Sequence, residues 1–170
     1  LPLCNIVVLD LTNVLSGPFA TQILSDLGAE IIKVEKPNGD DSRKFGPFIK
    51  KRSSYFISLN RGKKSIVVDF NNEEDKKIFK KLLAISDVII DNFKPGTLEK
   101  YGFSSSYLKK NFPLLIQTKI SGFGETGPLK ENPAYDMIVQ AMGGIMSITG
   151  KNKNETYRVG SSIGDIVAGL

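Results

Sequence analysis

Residues 159–170 read VGSSIGDIVAGL, and Asp165 is the one charged side chain among them. Gly164, Ser162 and Ala168 crowd it with small neighbours, which leaves room for a reacting group beside the carboxylate. Two readings fit these residue types. Asp165 is a first-turn acid of a helix beginning at DIVAGL, where the helix dipole favours negative charge, or it is a carboxylate nucleophile in an apolar setting. The rest of the chain narrows the chemistry. It has no histidine and one cysteine, Cys4. Ser-His-Asp and Cys-His catalysis, a His-metal centre and a Cys-based zinc site cannot be assembled from these residues. Nucleophiles and proton carriers in this chain are therefore Asp, Glu, Lys, Tyr, Ser or Thr.

Other stretches could bind rather than react. DNFKPG (91–96) and SGFGETGP (121–128) are rich in turn-forming residues. Either one alone reads as a turn, but both follow apolar runs that read as strands, which puts them on one edge of a sheet. The acids Asp40, Asp41 and Asp69 read as loop and strand-end residues, and Asp136 as a helix-start acid. Arg61, Lys63 and Lys64 in NRGKKS read as a solvated charge cluster. Glu35 closes the second strand, where an acid often holds a ribose. The first turn, TNVLSGPFA, nevertheless lacks the G-x-G-x-x-G that lets a pyrophosphate approach the backbone, so nicotinamide binding is not expected.

The elements that must position these groups alternate. NIVVLDL, AEIIKVE, KSIVVDF, DVIIDNF and LLIQTKISGF read as strands, short and rich in branched apolar residues. PFATQILSDL reads as a helix with Phe19, Ile23, Leu24 and Leu27 on one side, Ser16 as its cap and Pro18 near its start. NEEDKKIFKKLLAIS reads as an amphipathic helix with Ile78, Leu82 and Ile85 inward. Short helices follow in KPGTLEKYGF and SSYLKKNFP, and a further one in YDMIVQAMGGIM. The segment from Arg43 to Arg61 reads as a long connection, and NKNET (152–156) as a polar loop. Alternating strands and helices mean an α/β domain whose ligands sit beyond the carboxyl ends of the strands.

Composition sets the frame. With 170 residues, 41% hydrophobic and 24% charged, the chain can form one domain with its own core. No apolar run approaches the ~18 residues of a membrane span, and LPLCNIVVLD does not look like a secretory leader. A cytoplasmic setting is expected, or the mitochondrial matrix for a eukaryotic source. The net charge of +5 is spread along the chain with no basic block, so nucleic acid is not an expected partner. A ligand carrying several phosphates accounts for excess positive charge equally well.

The blocks VLDLTNVLSGPFATQILSDLGAEIIKVEKPNGDDSR, NRGKKSI, DNFKPG, SGFGETGP, PAYDMIVQAMGG and GDIVAGL, in that order, closely resemble the class III CoA-transferases, the CaiB/BaiF family. The likeness runs through nearly the whole chain. It implies a Rossmann-like, mostly parallel sheet with helices on both faces, residues 1–170 forming the N-terminal portion of a CoA-binding α/β domain. It implies an acyl-CoA:carboxylate CoA-transferase that works through an aspartyl mixed anhydride and an aspartyl-CoA thioester, with Asp165 as nucleophile. CoA and acyl-CoA are then substrates, with no tightly bound cofactor and no metal. The adenosine end of CoA is assigned to Asn13, Val14 and Leu15, to Lys36, and to Asn92, Phe93, Lys94, Pro95 and Gly96. Lys100 stands where relatives meet phosphate, Val68, Phe70 and Asn71 where they line the nucleotide pocket, and Tyr135 where they approach the thioester.

Racemases related to this family carry a histidine where Tyr135 stands, so the resemblance favours transfer over racemisation. Leu15 occupies a place that is polar in some transferases, which leaves the acid specificity open. Family members continue past the nucleophile into a glycine-rich lid and a small second domain, and two chains interlock as a homodimer. On that comparison the expectation is a chain with the CoA pocket and the nucleophile but without lid or acceptor site. It is either the N-terminal part of a transferase or a CoA-binding remnant without turnover.

Overall fold

The computed structural model describes residues 1–152 and 154–170. Five strands carry the fold: Val7–Asp10 (β1), Glu30–Glu35 (β2), Lys64–Val67 (β3), Val88–Asp91 (β4) and Ile116–Lys119 (β5). All are parallel, in the order β3-β2-β1-β4-β5. The chain lays strands outward from β1 in one direction and then, from β4, in the other. The crevice between the carboxyl ends of β1 and β4 is therefore the switch point at which α/β sheets take ligands.

The helices are Ser16–Asp26 (α1), Ser54–Asn60 (α2), Glu73–Ile85 (α3), Thr97–Lys100 (α4), Ser105–Asn111 (α5), Asp136–Met142 (α6), Ile145–Ile148 (α7) and Ile163–Gly169 (α8). Side chains alternate across the strands, and so the core has two sides. Leu9, Leu11, Ile32, Val34 and Ile89 pack with Phe79 and Leu83 of α3, Leu98 of α4 and Leu108 of α5. Val8, Ile31 and Ile90 point the other way, toward Leu24 of α1. The expected α/β sheet with helices on both faces is what the chain forms.

Several expectations need correction. In α3 the inward residues are Phe79 and Leu83, while Ile78 and Ile85 are exposed and Leu82 is half-buried. Phe79 wins the inward place because its ring meets Phe70 and Phe103 edge to face, at 4.9 and 4.8 Å between centroids. In α1 the buried positions are Ser16, Gly17, Pro18, Thr21 and Gln22, with Leu27 exposed. That helix turns its small polar face to charged groups at the sheet's end, where Thr21 Oγ1 donates to Asp10 Oδ2 at 2.6 Å. Ser16 is not its cap, since Leu15 holds that position without a side-chain bond.

The connection from Arg43 to Arg61 is structured. It holds a 3-10 turn ending at Lys44, a small hairpin pairing Phe48–Ile49 with Arg52–Ser53, and α2, whose cap is Ser53 accepting from the Phe56 N–H. The polar loop at 152–156 is the end of another hairpin, pairing Gly150 with Thr156 and Asn152 with Glu155; its Lys153 lies outside the described residues. No described helix is long and apolar enough to cross a membrane.

Candidate functional site

The loop after β1 is held from several sides. Asp10 Oδ1 accepts from the Thr12 N–H at 2.9 Å. The Asn92 side chain, from the loop after β4, clamps Asn13: it accepts from Asn13 N–H and donates to Asn13 C=O, both at 2.9 Å. Val14 follows with φ 69°, a left-handed conformation that strains a β-branched residue. The loop after β4 is set by buried Asp91, which accepts from the Phe93 N–H at 3.1 Å. Burial raises the pKa of Asp91 against that bond.

Between these loops opens a cleft of about 400 Å³. Asn13, Val14 and Leu15 form one wall, with Asn92, Phe93, Lys94 and Pro95 beside them. The opposite side comes from Ile120, Ser121 and Gly122 after β5, from residues 130–134, and from Tyr135 and Val139. Gly164, Asp165 and Ala168 of α8 also line it. Nine of the residues assigned by resemblance thus share one cleft: Asn13, Val14, Leu15, Asn92, Phe93, Lys94, Pro95, Tyr135 and Asp165.

The others do not line it. Lys36 is paired with Asp41 at 2.7 Å on the surface. Val68 is buried in the core. Phe70 stacks on Tyr101, 5.2 Å between centroids. Asn71 is exposed and bonded to Asp69. Gly96 caps α4 with a left-handed φ of 80°, and Lys100 ends that helix, exposed. They nevertheless all follow the carboxyl ends of β2, β3 and β4, the same edge of the sheet as the cleft.

Asp165 is half-buried at the third position of α8. Burial raises its pKa above the ordinary carboxylate value, and the negative charge of Asp136 adds to the rise. Burial also raises Tyr55, with Asp165 next and Asp40 after it, so the α2 tyrosine feels the carboxylate of α8. The start of α8 is fixed by a pair not singled out in the sequence. Asp136 Oδ1 accepts from Gly164 N–H at 2.8 Å, and Gln140 Nε2 donates to Asp136 Oδ2 at 2.7 Å. Gln140 Oε1 in turn accepts from Val159 N–H at 2.7 Å. Asp136 does start α6, as expected, but its carboxylate caps α8 from outside. The signal available in the sequence was an Asp and a Gln four apart, one helical turn, both on a helix rich in apolar residues.

Small residues let α8 come close. A side chain at Gly169 would meet Ser16 C=O of α1 at 2.6 Å, and one at Gly164 would meet Val139 at 3.0 Å and Asp136 at 3.1 Å. Among the described residues, no three His, Cys, Asp or Glu side chains cluster to hold a metal ion.

This arrangement has close counterparts. The family model for CoA-transferase family III matches residues 3–170. The chain belongs to CoA-transferase family III. It is 48% identical over 171 aligned residues to the acetyl-CoA:oxalate CoA-transferase of Acetobacter aceti, covering 99% of this chain and 44% of that one. It is 46% identical to the succinyl-CoA:glutarate CoA-transferase of Mus musculus, covering 99% of this chain and 39% of that one. A CAIB/BAIF family protein from Brucella suis superposes with a TM-score of 0.92 at 45% identity, over 97% of this chain and 45% of that chain. The chain thus spans less than half the length of these family members.

Proposed function

We propose that this protein acts in moving CoA from one carboxylic acid to another, with Asp165 as the temporary carrier. The observation that carries the reading is the cleft itself. A half-buried carboxylate on a helix start shares one cavity with the two loops at the sheet's switch point, where a nucleotide-bearing ligand is expected.

The chemistry explains why an acid stands there. Asp165 attacks the thioester carbonyl, the CoA thiolate leaves, and a mixed anhydride joins Asp165 to the acyl group. The thiolate attacks the aspartyl acyl carbon and expels the donor acid as carboxylate, which leaves an aspartyl-CoA thioester. The acceptor carboxylate attacks that thioester, thiolate departs again, and its attack on the acceptor's acyl carbon forms the new acyl-CoA and restores Asp165. Every intermediate is an activated acyl group, so no ATP and no bound cofactor are required. A serine or cysteine cannot pass through both species.

The site must desolvate the carboxylate without keeping it protonated. Partial burial raises the pKa of Asp165, and the ordinary carboxylate range lies well below neutral pH. The Gly164 N–H is committed to Asp136 and so is not a donor to a developing oxyanion. The adenosine end is assigned to Asn13, Val14 and Leu15, to Lys36 and to residues 92–96, with Val68, Phe70 and Asn71 toward the nucleotide pocket and Lys100 near phosphate. Tyr135, 78% exposed on the cleft, is assigned to the thioester side. Matched relatives are named for oxalate and glutarate, which makes short dicarboxylates the first acids to try. Exposed Met142, Ile148, Val167 and Leu170 offer the apolar surface that an interlocked homodimer would cover. A free, exposed Cys4 suits a reducing compartment.

The test is transfer itself. The protein is incubated with succinyl-CoA or acetyl-CoA and a panel of acids, and new acyl-CoA is followed by chromatography. Transfer to at least one acid, abolished by Asp165→Asn, is the expected result. Binding of CoA without transfer to any acid would leave a coenzyme-binding protein and overturn the enzymatic reading for this chain.

A further inference from the structure

Lys33 lies in the middle of the sheet's buried end, and nothing in the transfer chemistry uses it. It sits on β2 opposite Asp10 of β1 in register, and its side chain is 1% exposed. Its ammonium reaches past the end of β1 to donate to Thr12 C=O at 2.7 Å and to pair with Asp40 Oδ2 at 2.9 Å. Asp40 is itself fully buried and uses its other oxygen on the same loop, accepting from Val14 N–H at 3.3 Å while also taking the Ser42 N–H and hydroxyl. The pair therefore holds the first loop at two backbone points, Thr12 C=O and Val14 N–H, on either side of Asn13.

Burying an ion pair is a poor way to stabilise a fold, because desolvation offsets the attraction and an apolar pair of equal volume often serves as well. What the pair supplies here is position. Val14 is held in a left-handed conformation that a valine does not adopt unaided. Asn92 secures Asn13 from the cleft side, and Lys33 with Asp40 secures Thr12 and Val14 from beneath. Burial works against the charge on Asp40, yet Lys33 and the Ser42 bonds overcome it and its pKa is lowered. Asp40 therefore stays ionised at neutral pH.

We propose that Lys33 and Asp40 are positioning residues for coenzyme binding: an ion pair beneath the cleft that fixes the Thr12–Val14 backbone in its ligand-ready shape. The proposal rests on the reading of the cleft as the coenzyme site.

The test uses Lys33→Met with Asp40→Asn, which removes both charges together and keeps side-chain volume. CoA affinity is measured by calorimetry, folding by thermal melting, and loop order by amide hydrogen exchange. Misplacement by about 1 Å can cost as much as about a hundredfold in rate, and a loss of CoA affinity up to that size is expected from a variant that still melts cooperatively. Exchange at Thr12–Leu15 is expected to quicken while the β1 amides stay protected. Unchanged affinity in the folded double variant overturns the proposal. If the wild-type protein fails to bind CoA at all, the coenzyme reading falls first and takes the proposal with it. A measurement on the wild type alone is independent of the variant's folding. The Val14 amide, beside an open cleft, is expected to exchange far more slowly than the amides of Gly124 and Gly127; equal rates overturn the clamp.

Discussion

The carboxylate of Asp136, on α6, accepts the backbone N–H of Gly164, on α8, at 2.8 Å. This bond decides where the next residue, Asp165, is presented, and Gln140 and Val159 extend it into a short buried chain of hydrogen bonds. Asp136→Ala strands a backbone donor and an amide in a buried place, at a cost of about 1–3 kcal/mol by urea denaturation. Asp136→Asn keeps an acceptor for Gly164 but loses the bond from Gln140, so it is expected to cost less. Both are expected to lower the pKa of Asp165, whose rise Asp136 shares with burial, as read by carbon NMR titration of the carboxyl group. A pKa of Asp165 unchanged in both would separate the two acids electrostatically.

The raised pKa of Asp165 has a thermodynamic sign. The folded protein holds that proton more tightly than the unfolded chain, so ionising the group costs folded stability once pH rises above its ordinary value of 3.8. Replacing Asp165 with the neutral isostere, Asp165→Asn, is therefore expected to raise the melting temperature at pH 7. The gain shrinks as pH is lowered toward 3.8. Melting curves at a series of pH values check this; a variant less stable than wild type at neutral pH would contradict it.

The fold was legible in the sequence because it rests on local signals, and Asp165 drew attention for the same reason. Branched apolar runs mark the strands, and Asp165 stands alone among small residues. What was not legible depends on tertiary partners. Ile78 and Ile85 look as apolar as Phe79 and Leu83, and only the waiting rings of Phe70 and Phe103 select which stripe turns inward. Likewise the apolar side of α1 loses to Thr21 and Gln22 because charged groups lie beneath that helix. Lys63, read as a surface charge, is buried there, bonding Asp10, Thr21, Asn60 and Pro18 C=O, and burial lowers its pKa to about 8.

Glu35 gives the opposite pH signature. Burial alone would raise its pKa, but the bidentate Arg43, with Ser65 and the Asp40 N–H, brings it from 4.5 down to about 2. The stability this contributes is present above 4.5 and is lost as pH falls toward about 2. Arg43→Met removes the two bonds, both 2.6 Å long, and is expected to destabilise by about 1–3 kcal/mol at neutral pH. Denaturation midpoints of the variant and wild type should converge as pH drops below 4.5; a gap that persists unchanged would mean packing of Arg43 on Phe56, 3.7 Å away, carries the effect.

Gly169 sets the contact between α8 and α1. A methyl group there would sit 2.6 Å from Ser16 C=O, a backbone atom that cannot swing aside. Gly169→Ala is expected to push α8 outward, to destabilise by about 1–3 kcal/mol, and to reduce turnover more than CoA affinity, since the loops proposed to hold the coenzyme are on other elements. Calorimetry alongside the transfer assay separates the two; loss of CoA affinity with normal turnover would contradict it.

In the proposed reaction Asp165 becomes covalently joined to CoA. The direct measurement is peptide mass spectrometry after brief incubation with acyl-CoA and quenching in acid. The expected result is a peptide containing Asp165 that carries CoA less one water, cleaved by hydroxylamine and absent from Asp165→Asn. CoA attached to a different residue, or an adduct that persists in the variant, would contradict it.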